Sequence, residues 1–127
     1  MKASISRDCT AIVLDGLITG SNDQRMVQFI LDTGASMTLI PTKVLERIGS
    51  VQDTEIGQIF IETAGGSIRA NLYWIGSIEV LGKRSGRMMV AGFDLPVETR
   101  IEGLLGLDFM KMFKLVLDIP NGTIEID

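Results

Sequence analysis

The sequence predicts a small, mostly β domain, a barrel or sandwich, and three observations carry that prediction. Short apolar segments rich in branched aliphatics recur at close spacing. Turn signals built on Gly, Asn and Pro separate them. Only two short stretches carry helix start and stop signals. The length, 127 residues and 13.9 kDa, suits one domain spanning residues 1–127, and 46% hydrophobic residues are enough for a packed core.

In chain order, Thr10 to Ile18 and Met26 to Leu31 read as strands joined through the turn cluster Gly20-Ser21-Asn22-Asp23, a β-hairpin. After Asp32-Thr33-Gly34 comes the apolar stretch Met37 to Ile40. Pro41 opens a short helix over Thr42 to Ile48, and Gly49 stops it. Ile56 to Thr63 and Ile68 to Ile75 form a hairpin around Ala64-Gly65-Gly66-Ser67, whose glycines permit positive φ at the tip. Ser77 to Leu81 and Arg87 to Val90 suggest a further hairpin around Gly82 to Gly86. Leu104 to Leu107 is a short buried strand, and Asp108 is placed to cap a helix over Phe109 to Phe113. Leu115 to Ile119 and Thr123 to Asp127 close the chain as strands around Pro120-Asn121-Gly122.

Composition removes most enzyme chemistry. The chain has no histidine and one cysteine, Cys9. Ser-His-Asp and Cys-His catalysis and an HExxH metal site are therefore excluded, and so is an intrachain disulfide. Acid–base chemistry near neutral pH falls to the 16 Asp and Glu residues. Against these stand 12 Lys and Arg, a net charge of −4, and the densest basic cluster is only Lys83, Arg84 and Arg87. With 6% aromatic residues, this argues against nucleic-acid binding. No apolar run approaches the roughly 18 residues of a membrane span. The first residues, Met1 to Asp8, lack the apolar core of a signal peptide, so a soluble, cytoplasmic chain is expected.

The informative segment is Phe29-Ile30-Leu31-Asp32-Thr33-Gly34-Ala35-Ser36, in which an ionisable Asp follows an apolar strand and precedes a Gly. By composition alone Asp-Thr-Gly arises in about two or three of a hundred chains this long. On its own it is also explained by a strand-ending Asx-turn. Two features add to it: Thr38-Leu39-Ile40-Pro41 backs the loop with core, and Gly103-Leu104-Leu105-Gly106-Leu107-Asp108 supplies a glycine where a strand can pass close beneath another loop.

Asp32-Thr33-Gly34-Ala35-Ser36, the mid-chain Gly-Gly hairpin and Leu104-Leu105-Gly106 before a short helix together resemble the retropepsin-like aspartic proteases. The likeness covers roughly residues 10 to 127 and lies nearer the cellular and bacterial single-domain members than the retroviral ones. It implies a small closed barrel with one or two short helices that functions as a two-fold homodimer. It also implies an aspartic endopeptidase needing no metal or cofactor and acting on peptide or protein substrates. Two carboxylates facing one water, sharing one proton, are what this chemistry requires. With one Asp-Thr-Gly per chain, the resemblance places Asp32 beside its own copy on the dimer axis. Thr33 then locks the two loops, and the Gly34 N–H donates to the carboxylate. Ala35, Ser36 and the flap residues Ala64, Gly65 and Gly66 bind substrate. The terminal strands, near Ser4 to Cys9 and Thr123 to Asp127, are candidates to pair across the dimer.

Two positions depart from the retroviral pattern. The acid two residues after the motif's Gly and the Arg after the second Gly, which form an ion pair there, are Ser36 and Leu107 here. Both members are changed together, so no charge is left unpaired. The rival readings are a non-catalytic dimerisation or peptide-binding module of the same fold, and a β-barrel ligand binder in which Asp32 is structural.

Overall fold

The computed structural model describes residues 2–4, 11–63, 66–94 and 103–127. The chain opens with β1 (Lys2–Ser4), β2 (Val13–Thr19), β3 (Gln24–Leu31) and β4 (Leu39–Pro41), then helix α1 (Thr42–Arg47). There follow β5 (Val51–Gln52), β6 (Gln58–Thr63), β7 (Gly66–Ile75), β8 (Ser77–Val80), β9 (Lys83–Arg84), β10 (Met88–Phe93) and β11 (Gly103–Leu105). Helix α2 (Leu107–Met110), β12 (Leu115–Asp118) and β13 (Thr123–Ile126) complete it. Among the described residues, no helix is long and apolar enough to cross a membrane.

Alternation explains the first hairpin. Along β2, Leu14 and Ile18 turn inward while Val13 and Asp15 face out; along β3, Val27 and Phe29 turn inward. The two strands pair antiparallel from Val13↔Ile30 to Thr19↔Gln24. Pro41, in an extended conformation, is the N-cap of α1, which lays the buried Val44 and Leu45 on the core. The larger apolar cluster joins these residues to Ile40, Tyr73, Ile75, Ile78, Leu105 and Phe109.

Most strands join one sheet in the order β5-β7-β10-β4-β11-β3-β2-β8-β9, with β6 pairing on β7. The expected closure into a barrel is not found among the described residues. The path ends at β5 and β9, and these two-residue strands offer too short a ladder to close it. The hairpin expected between Ser77–Leu81 and Arg87–Val90 is also replaced. Leu81 (φ 47°) and Gly82 (φ 80°) reverse the chain within two residues, so β8 pairs with the short β9. Strand β10 instead runs antiparallel to β7 and parallel to β4.

The chain ends make a separate three-stranded sheet, β1-β13-β12. This corrects the expectation that Thr123 to Asp127 pairs across a dimer: β13 has β1 on one edge and β12 on the other, within one chain. Residues 5–9 of the expected N-terminal strand, Cys9 included, lie outside the described residues.

Tyr73, 5% exposed, carries a pH prediction. Burial first, then the charges of Glu46 and Asp94, raise its phenol above the ordinary value of 10.0. Folding therefore favours the neutral phenol, and that contribution is complete below the unfolded pKa and disappears as pH rises through the folded one. We predict that the melting temperature falls above about pH 10, and that Tyr73→Phe flattens this limb. An identical alkaline limb in both proteins would refute the assignment.

Candidate active site

Strand order builds the site. Strand β11 lies between β3 and β4, parallel to the first and antiparallel to the second. The loop 32–38, which joins β3 to β4, must therefore cross over the end of β11. Asp32 leaves β3 with its N–H still donating to the Leu105 carbonyl at 3.0 Å. Its own carbonyl accepts from the Ala35 N–H at 3.1 Å, and its Oδ1 accepts from the Gly34 N–H at 2.9 Å. The last contact is the one the resemblance implies, and it is also the bond of an Asx-turn. Asp32 is half-buried, while Thr33, Gly34 and Ser36 are exposed. A carboxylate thus stands at the surface on a tight, internally bonded turn.

Ala35 is wholly buried, and its carbonyl accepts from the Leu107 N–H at 2.9 Å. The Ser36 N–H donates to the Glu62 carbonyl at 3.3 Å, tying the Asp32 loop to β6. Strands β6 and β7 form the expected hairpin, paired from Gln58↔Asn71 to Thr63↔Gly66. Ala64 and Gly65 at its tip lie outside the described residues; Gly66 opens β7 at φ 116°. Across the stem, the Ser67 hydroxyl donates to Glu62 Oε1 at 2.6 Å.

Asp108 does more than the sequence suggested. Helix α2 starts at Leu107 with Gly106 as its N-cap, so Asp108 lies inside the first turn rather than capping a helix that begins at Phe109. Its Oδ1 accepts from the Phe109 N–H at 2.8 Å and from the Thr38 hydroxyl at 2.7 Å. Its Oδ2 accepts from the Thr38 N–H at 2.9 Å. Thr38 is fully buried, and its hydroxyl in turn accepts from the Gly106 N–H at 3.2 Å. A Cβ at Gly106 would stand 2.6 Å from the Met37 carbonyl carbon and 3.0 Å from the Ala35 oxygen, so only glycine lets α2 approach this loop. Thr38 and Asp108 thus tie the end of the Asp32 loop to α2. A polar Thr within the apolar run Met37 to Ile40 was the available signal, since a buried hydroxyl needs a partner.

A second apolar cluster lies between the Asp32 loop and the β6–β7 hairpin. Leu39, Ile61, Ala70 and Ala91 are its buried centre, with Met37, Ile59, Ile68, Phe93 and Leu104 half-buried around them. Trp74 is half-buried on β7. Its Nε1 donates to Asp53 Oδ2 at 3.2 Å, the Arg87 guanidinium sits 4.1 Å over its ring, and both line a cavity of about 270 Å³ with Gly20 and Gly49.

Comparison with known proteins agrees with this geometry. A family model described as aspartyl protease matches residues 11–109, which include the Asp32 loop, the β6–β7 hairpin and β11 with the start of α2. The fold is similar to that of a retropepsin-like aspartic protease from Rickettsia conorii, with a TM-score of 0.62 and 16% identity over 98% of this chain and 85% of that one. It is also similar to EIAV protease solved with the inhibitor HBY-793, with a TM-score of 0.53 and 27% identity over 85% of this chain and 94% of that one. A search of curated proteins finds no match. With its Asp-Thr-Gly turn carried over β11 and braced from α2, the chain belongs to the aspartyl protease family and has the retropepsin-like fold.

Proposed function

We propose that the protein is an aspartic endopeptidase whose active site is assembled from two copies of the chain. The observation that carries this is the single Asp-Thr-Gly turn, with Asp32 half-buried and Thr33 and Gly34 exposed beside it. One such turn supplies half of what the chemistry needs. A two-fold axis passing by Asp32 supplies the other half, and the exposed Thr33 is placed to bond the partner loop.

In this reading a water lies between Asp32 and its symmetry mate, which share one proton. The ionised carboxylate takes a proton from the water as its oxygen attacks the peptide carbonyl carbon. The protonated carboxyl donates to the carbonyl oxygen, giving a neutral tetrahedral diol. The carboxyl group then gives its proton to the amide nitrogen while the other carboxylate takes one from a diol hydroxyl. The C–N bond breaks to an amine and a carboxylic acid, and the pair again shares one proton. The bond from Ser36 to Glu62 supports the β6–β7 hairpin as the flap, with Ala64, Gly65 and Gly66 at its tip closing over an extended peptide. The half-buried Met37, Ile59, Ile68, Phe93 and Leu104 favour apolar side chains flanking the cleaved bond. The single cysteine fits a reducing, cytoplasmic setting. A non-catalytic module of the same fold is not favoured, because the Asp-Thr-Gly turn is complete.

Activity against protein concentration tests the assembly. Specific activity on an apolar peptide library is expected to fall on dilution through the dimer dissociation constant and to recover on reconcentration. Specific activity that stays constant while the protein becomes monomeric would overturn the shared site.

A further inference from the structure

The basic cluster Lys83, Arg84 and Arg87 takes no part in the proposed cleavage chemistry, yet its last member stacks on the chain's single tryptophan. Arg87 and Trp74 wall the cavity of about 270 Å³, which opens to solvent. Trp74 lies eight residues along β7 from Gly66, about 26 Å from the hairpin tip at the rise of a strand. Among the described residues, none of the Asp32 loop or of the apolar cluster beneath the hairpin lines this cavity.

Two turns in close contact build it. The Ser21 hydroxyl donates to the Gly49 carbonyl at 2.5 Å, and the Asn22 N–H donates to the Ile48 carbonyl at 3.0 Å. Gly49, at φ 75°, has no room for a side chain: a Cβ there would stand 2.6 Å from Asn22 Nδ2 and 2.7 Å from Ser21 Oγ. Gly20, Gly49 and Gly76 thus line the cavity with bare backbone, between apolar walls from Val51, Ile75 and Trp74. The indole is held in place, because Trp74 Nε1 donates to Asp53 Oδ2. Asp53 Oδ1 accepts from the Glu55 and Ile56 N–H groups at 3.2 and 3.3 Å. Asp53 is therefore engaged by its own turn and by the indole, and Arg87 makes no ion pair among the described residues. With one flat face against the ring at 4.1 Å, the guanidinium keeps its N–H edge for an acceptor in its own plane.

The acceptor that suits this edge is a carboxylate. One cation, with Asp53 at the indole edge and a net charge of −4 on the chain, favours a singly charged group over a phosphate dianion. The apolar walls favour a hydrocarbon body behind it. The volume is that of roughly nine waters, which is room for about one side chain. We propose that this cavity is a binding site for an apolar carboxylate, its carboxyl group bonded in plane to Arg87 and its hydrocarbon part against Trp74 and Val51. A peptide ending in an apolar residue and a free branched-chain acid both present this chemistry. The site depends on neither Asp32 nor a second copy of the chain.

The single tryptophan makes the site its own reporter. Titrating the full chain with N-acetylleucine is expected to give a saturable change in Trp74 emission, with a dissociation constant of about a millimolar. N-acetylleucinamide, which lacks the charge, should bind about tenfold more weakly. Arg87→Gln should weaken the acid about tenfold and leave the amide unchanged, with saturation-transfer NMR on the ligand as a second readout because this variant alters the ring's surroundings. Val51→Asp, at a position 64% exposed, should also weaken the acid by placing a like charge at the rim. A pentapeptide ending in leucine, titrated into the Asp32→Asn chain, separates the two sources. Binding tighter than that of N-acetylleucine identifies a chain end; equal or weaker binding identifies a free small acid. Equal affinities for acid and amide, an acid affinity untouched by Arg87→Gln, or no saturation by about 50 mM acid would overturn the site. N-acetylleucine should titrate Asp32→Asn as it does the wild type, so failure at this cavity leaves the protease reading standing.

Discussion

Asp32→Asn is expected to abolish peptide cleavage, by about 10⁴-fold or more, with little change in stability. The loss is large because one substitution removes both carboxylates of a symmetric site, and an amide neither takes a proton from water nor cycles between charge states. The fold survives because the amide oxygen can still accept from the Gly34 N–H, the side-chain bond Asp32 makes within its own turn. Melting temperatures within about 2 °C of each other are expected. Full activity in the variant would remove Asp32 from the mechanism. Mixing equal amounts of wild-type and variant chains sharpens the result. If each site needs both carboxylates, random re-pairing leaves about a quarter of the activity, whereas a site complete within one chain leaves about a half.

What was legible in the sequence was local. The β2–β3, β6–β7 and β12–β13 hairpins are each signalled by turn residues between two apolar runs, and pairing of neighbours needs little loop entropy. The Asp-Thr-Gly turn is likewise a matter of a few adjacent residues. What was not legible depends on partners far along the chain. Strand β10 contains nothing to say that it prefers β7 and β4 to β8; the two-residue reversal at Leu81 and Gly82 decides that by turning β8 onto β9. Insertion of β11 between β3 and β4 is similarly invisible until all three are placed, yet it carries the Asp32 loop across the strand end. The enclosure of β13 depends on the chain's first strand returning to its last, a contact between Ala3 and Ile124 that no local pattern announces.

Asp108 shows why a correct local reading fell short, and it carries the second large effect. The sequence identified an acceptor for a helix N–H, and the Phe109 bond bears that out. A carboxylate accepts several bonds, however, and here the others come from a buried Thr 70 residues away. Asp108→Ala leaves the Thr38 N–H and hydroxyl without their acceptor in a fully buried position. Each lost acceptor costs about 1–3 kcal/mol, so the substitution is expected to cost about 2–5 kcal/mol, a large share of a domain's stability. The melting temperature should fall by roughly 10 °C or more. Asp108→Asn is the discriminating companion. Its amide oxygen can accept from the Thr38 N–H while its Nδ2 donates to a reoriented Thr38 hydroxyl, so it should lose less than half as much. Because Thr38 ends the loop that begins at Asp32, the Ala variant should also lose kcat well below its melting temperature, with KM less affected. Equal melting temperatures and equal kcat for the wild type and Asp108→Ala would mean that the loop is held by the strand ladders alone. A stable but inactive Asp108→Ala would instead place Asp108 in positioning the Asp32 loop without a measurable share in holding the fold.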